Sequence, residues 1–122
     1  MELRHDPVDD DEVVLATDVE LADSLWSQAR GLMFRESFPE GAALAFPFNR
    51  AKTRDVHMLF VRFPIDVVWV VDETVGRVDR LQPWRGYARE RADLILELPA
   101  GGADGVSPGD RLVLESPDRR RS

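Results

Sequence analysis

The sequence predicts an α+β domain, mainly β, built as a mixed sheet curling toward a small barrel with one short N-terminal helix. Three observations predict it. Six or seven short apolar or alternating runs are punctuated by Gly, Pro, Asn and Asp. Helical periodicity is confined to one segment near residues 23–31, and 122 residues leave room for a single core.

Met1 to Asp11 is acidic and interrupted by Pro7, which predicts a disordered arm over 1–11 ahead of one β-rich domain over 12–116. Val13-Val14-Leu15-Ala16-Thr17 and Val19-Glu20-Leu21-Ala22 have the β-branched, partly alternating character of a bent strand pair. Asp23 or Ser24 can accept from the free N–H groups of a first helical turn, Leu25, Trp26 and Ala29 share a face, and Gly31 suits a left-handed C-terminal cap. After the Pro39-Glu40-Gly41 turn, Ala42 to Phe48 is an apolar run and Arg50 to Arg54 reads as a polar connection. His57 to Val61 and Ile65 to Val71 read as strands, the second apolar enough to be buried on both faces. A hairpin around Asp72 to Gly76 leads into the alternating Arg77 to Leu81. Pro83 to Arg91 reads as a polar loop, Leu94 to Leu98 as a strand, Ala100 to Gly105 and Pro108 to Asp110 as turns, and Leu112 to Leu114 as the last strand. Residues 117–122 read as a flexible tail.

The composition excludes whole classes of function. With no cysteine, disulfides, thiol nucleophiles and thiolate metal sites are ruled out, and two histidines cannot make a histidine-rich metal centre, so neither metal nor cofactor is expected. No apolar run has membrane-spanning length, and the N-terminus is acidic where a signal peptide is basic and then apolar, which predicts a cytoplasmic protein with no membrane partner.

Charge is unevenly spread. Of 23 acids and 16 bases, residues 1–25 hold nine acids and one base, so the rest of the chain is nearly neutral and the net −7 is concentrated at one end. That acidic end opposes binding to nucleic acid. Fifteen of the sixteen bases are arginine, and aspartate outnumbers glutamate 14 to 9, a bias that fits the high-salt proteome of a halophilic archaeon. High genomic GC content would favour arginine over lysine as well.

The motifs Arg30-Gly31-Leu32-Met33-Phe34-Arg35, His57-Met58, Phe63-Pro64-Ile65-Asp66, Leu96-Glu97-Leu98-Pro99-Ala100-Gly101 and Gly109-Asp110 occur in an order and spacing that resembles the domain of unknown function 192 family of bacteria and archaea. The resemblance covers about residues 12–115 and implies a compact, mostly β fold with a short helix, without implying a reaction. One segment departs from the pattern. Many members carry Trp-Met followed by a Lys-Asn-Thr-like stretch, whereas here His57-Met58 is followed by Leu59-Phe60-Val61.

Five residues emerge as ligand-binding candidates: Arg30, Arg35, His57, Asp66 and Glu97. His57 has a side chain able to exchange protons near neutral pH. Asp66 lies in the most apolar stretch, where an ionised carboxylate needs a partner, and the nearest by motif are Arg30 and Arg35. The pair could be a structural lock or part of a pocket for an acidic ligand. Glu97 reads as an outward strand residue or as a second carboxylate in a cleft.

The leading expectation is a ligand-binding or interaction module with a polar pocket near Arg30, Arg35, His57 and Asp66, taking a small anionic ligand or a protein partner. One alternative is a hydrolase or isomerase using acid–base chemistry through His57 with Asp66 or Glu97. The other is a scaffold that binds protein through the Trp84–Tyr87 loop. Gly101-Gly102 could suggest a phosphate loop, yet no lysine and no long helix follow it.

Overall fold

The computed structural model describes residues 1–22 and 31–115. Its elements run β1 (Glu2–Asp6), β2 (Val13–Ala16), β3 (Asp18–Leu21), β4 (Ala42–His57), β5 (Ile65–Val71), β6 (Thr74–Leu81), β7 (Tyr87–Pro99) and β8 (Arg111–Glu115). They form one eight-stranded mixed sheet in the order β2-β1-β8-β6-β5-β7-β4-β3, parallel only between β3 and β4. Among the described residues every element is a strand, and no helix is long and apolar enough to cross a membrane. The expected helix lies outside the described residues except for Gly31, whose φ of 48° is left-handed.

The sheet has no hydrogen-bonded closure, but it is strongly curled. Its two edge strands, β2 and β3, are separated in the chain by Thr17 alone, so the two sheet edges must come round to the same place. Gly41 pins that corner by accepting the backbone N–H groups of Thr17 and Asp18 at 3.1 and 3.0 Å.

Curling buries β5 on both faces, as its continuous apolar run predicts. Ile65, Val67 and Trp69 pack with Phe46, Met58, Leu81 and Ile95, whereas Val68 and Val70 pack with Leu3, Ala45, Leu96 and Leu112. The β5–β6 hairpin turns at Asp72 and Glu73, both at positive φ, as a two-residue turn matched to strand twist requires.

Four sequence expectations need correction, the first being the polar loop over 83–91, of which Tyr87 to Arg91 belongs to β7. The N-terminal arm is not disordered where Glu2–Asp6 lies: β1 pairs with both β2 and β8, and Leu3 and His5 are buried. Alternation of Leu3 and His5 inward with charged neighbours outward outweighs the acidic composition. The polar stretch 50–54 is no connection but the middle of β4, which runs antiparallel to β7 past an irregularity between Pro47 and Lys52. Strand β4 then ends at His57, so Met58 to Val61 is a turn, in which Val61 N–H donates to the Met58 carbonyl.

Candidate functional site

The long β4–β7 pair carries one side of a cavity of about 560 Å³. Phe46, Val56, Ile65 and Ile95 give it an apolar wall, Leu32 and Met33 approach from the segment before β4, and Thr53, Arg54, Asp55, His57 and Arg89 supply its polar part. Alternation on β7 sets which side chains enter. Ile95 and Glu97 face the cavity, while Leu94, Leu96 and Leu98 pack on the other side of the sheet.

Glu97 is the chemically unusual member. It is 7% exposed, and burial pushes its pKa up to about 8 despite the opposing effect of the Arg35 charge. At neutral pH it is therefore mostly a carboxylic acid, able to donate one hydrogen bond into the cavity. Its backbone is held in the β4 and β5 ladders, and its carboxyl has no hydrogen bond to another side chain among the described residues.

Cationic groups are fixed around the opening. The Arg54 guanidinium lies 3.5 Å from the Phe48 ring centroid and donates to the Ala92 and Arg50 carbonyls at 3.0 and 2.9 Å. Burial, and then the Arg50 charge, lower its pKa. Arg89 pairs with Asp55 at 3.3 Å across the β4–β7 ladder. His57 is exposed, and its Nδ1 accepts the Leu59 N–H at 3.3 Å, so the neutral ring carries its proton on Nε2.

The five sequence candidates divide accordingly. Glu97 and His57 line the cavity. Arg35 lies near enough to act on the Glu97 charge, but its guanidinium pairs with Glu20 at 2.5 Å. Arg30 lies outside the described residues. Asp66 points away, because it alternates with the cavity-lining Ile65 and shares the side of Val68 and Val70.

Asp66 is answered by Arg80 and not by Arg35. The two residues face each other on β5 and β6, with Arg80 Nε donating at 2.8 Å, and the Gly101 and Ala103 N–H groups donate to Asp66 at 3.0 and 3.1 Å. The Gly101-Gly102 turn thus does hold an anion through its backbone, but the anion is the protein's own carboxylate. Arg54, Asp55 and Arg89 were missed because their polar stretches contain nothing that distinguishes a cavity rim from a solvated strand.

The family model of domain of unknown function 192, described as an uncharacterized ACR, matches residues 7–114. The chain belongs to the DUF192 family. Within DUF192, a UPF0127 protein of Pyrococcus horikoshii is similar, with 34% identity over 101 residues that cover 78% of this chain and 85% of that protein. Another, from Thermococcus sibiricus, is 30% identical over 107 residues, covering 84% of this chain and 69% of that one. Among solved structures, a candidate transcription regulator from Sinorhizobium meliloti 1021 superposes with a TM-score of 0.81 and 26% identity, covering 92% of this chain and 91% of that chain. A protein of unknown function from Novosphingobium aromaticivorans shares the fold, with a TM-score of 0.78 and 24% identity over 93% of this chain and 84% of that chain. The DUF192 match agrees with the order of motifs in the sequence. The departure at Leu59-Phe60-Val61 falls in the turn after β4, beside the cavity-lining His57.

Proposed function

We propose that this protein is a binding module for a small organic anion with an apolar body, held in the cavity that Glu97 and His57 line. The observation that carries this reading is Glu97, a carboxyl 7% exposed at a cavity wall, where burial raises its pKa to about 8. A neutral carboxyl does not repel an anion and can donate to it. Arg54, Arg89 and His57 set positive and hydrogen-bonding groups at the opening against the single acid Asp55, and Phe46, Ile65 and Ile95 receive the apolar part. The cavity volume falls in the usual range for small-molecule sites, about 300–1,000 Å³. The proposed setting is the cytoplasm of a cell adapted to high salt, with no cofactor and no nucleic acid; the net charge of −7 opposes the regulatory role that the Sinorhizobium protein's name suggests.

Acid–base catalysis is the second reading. It keeps Glu97 with His57, since a carboxyl of pKa about 8 can hold or release a proton near neutrality, and it drops Asp66, whose oxygens are engaged on the other face. Thermal shift against a panel of aryl and short alkyl carboxylates tests the binding reading. Ligands of this class should raise the melting temperature of the wild type, and filling the cavity with Ile95→Trp should remove that rise. A melting temperature insensitive to the whole panel would contradict it.

A further inference from the structure

Three loops meet beside the cavity, within residues 31–35, 58–63 and 82–87, and each contributes an exposed aromatic side chain to one patch. Phe34, Phe60 and Trp84 are 55%, 43% and 50% exposed. Their rings form one patch: Phe34 stacks on Phe60 at 4.9 Å, and Phe60 meets Trp84 edge-on at 5.4 Å. Leu59 and Tyr87, also exposed, lie on the same segments.

The backbone beneath the patch is strained and locked. Phe34, Phe60 and Trp84 have φ of 66°, 62° and 68°, a left-handed conformation that bulky residues rarely adopt. Phe34 N–H donates to the Phe60 carbonyl at 2.9 Å, Trp84 N–H to the Met58 carbonyl at 3.0 Å, and Met58 N–H to the Gly86 carbonyl at 2.9 Å. Gly86 admits no side chain, because a Cβ there would lie 2.7 Å from Met58 Cγ and 2.8 Å from the Gln82 carbonyl oxygen. Three loops are therefore held in costly conformations that turn large aromatic rings toward solvent.

Arg35 beside the rings is paired with Glu20, so the cationic charge left there is that of Arg62 and Arg85. The three segments contain Arg35, Arg62 and Arg85 and no acid, in a chain of net charge −7. Arg62 and Arg85 are exposed, and neither forms an ion pair among the described residues. The complementary surface is on the same chain. Residues 8–14, Val8-Asp9-Asp10-Asp11-Glu12-Val13-Val14, are all exposed, with Val8, Val13 and Val14 at 69%, 49% and 43%. Asp9, Asp10 and Asp11, set between valines, match the exposed arginines beside an apolar centre, while Glu12 is engaged by Arg4 at 2.7 Å.

We propose that the Phe34–Phe60–Trp84 patch docks the 8–14 segment of a second copy of this chain, with valines on the rings and Asp9 to Asp11 opposite Arg62 and Arg85. Other occupants fit less well. Phe34 and Phe60 already cover each other's faces, so the trio offers a patch and not separate platforms for bases. Two unpaired arginines fall short of the basic cluster that holds a protein to an anionic membrane.

Sedimentation velocity over a wide concentration series at low salt tests the proposal, with far-UV circular dichroism confirming that each variant folds. The wild type should associate as concentration rises. Arg62→Glu with Arg85→Glu should abolish association, as should Asp10→Lys with Asp11→Lys, and mixing the two variants should restore it, because the exchanged charges again oppose. Trp84→Ala should weaken association without any charge change. A wild type that stays monomeric throughout, or two charge variants that fail to associate when mixed, would overturn the proposal. So would a scrambled 8–14 peptide, or anionic vesicles, that compete as well as the native peptide.

Discussion

Asp66 and Arg80 sit directly opposite each other on neighbouring strands, and the Asp66 carboxylate also accepts two backbone N–H groups from the turn after β7. Those contacts make Asp66 a clamp between strand and turn. Removing it leaves the N–H groups of Gly101 and Ala103 without their acceptor.

Asp66→Ala should therefore destabilise the protein by about 3 kcal/mol in denaturant unfolding, while leaving binding in the cavity unchanged. Arg80→Ala should cost much less, because Arg80 is half-exposed and water can solvate what it leaves. Equal losses from the two substitutions would show that the turn is held by the arginine and not by the backbone donors.

The clamp shows how far the sequence could be read. The need of Asp66 for a partner was legible from its apolar neighbours. Its partner was not, because Arg80 becomes the nearest arginine only once the β5–β6 register is fixed. Strand β5 was legible for the same reason that it is buried on both faces, whereas the equally apolar His57 to Val61 proved to be the end of β4 and a turn. Strand β1 was hidden by the acids around it, and the middle of β4 by side chains that line a cavity rather than a core. His57 and Glu97, singled out by chemical type, both line the cavity, but alternation alone could not tell that Glu97 faces it and Asp66 does not.

A second buried contact gives an acid-side prediction. His5 Nε2 and Asp110 Oδ2 are 2.8 Å apart, and Asp110 also accepts the Val8 and Ser107 N–H groups. The hydrogen bond with His5, aided by those N–H groups, lowers the Asp110 pKa below its ordinary 3.8. A lowered folded-state pKa gives stability that is present above pH 3.8 and lost as the pH falls through the folded value. Asp110→Ala should cost about 2 kcal/mol at neutral pH, and the gap to wild type should close in acid. A gap that stays constant down to the acid transition would refute this latch. Deleting residues 1–6 should lower the melting temperature in both low and high salt, because β1 lies between two strands.

Glu97 predicts the opposite slope. Its folded-state pKa of about 8 exceeds the ordinary 4.5, so its contribution is complete below about pH 4.5 and is lost as the pH rises toward 8. Glu97→Gln keeps a neutral donor at every pH. Relative to this variant, the wild type should lose stability on the order of 4 kcal/mol across that interval. Parallel stability curves for the two proteins would mean that Glu97 is ionised and solvated at neutral pH.

The central claim is that a protonated Glu97 donates to an anion bound in the cavity, and the pH dependence of binding tests it most directly. Isothermal titration calorimetry with an aryl carboxylate that stabilises the wild type should show affinity falling as the pH rises through about 8, because the ionised carboxylate repels the ligand and has no proton to donate. Glu97→Gln should bind the same ligand with a flat profile through that range. The same fall in both proteins, or binding by the wild type that strengthens as Glu97 ionises, would contradict the account.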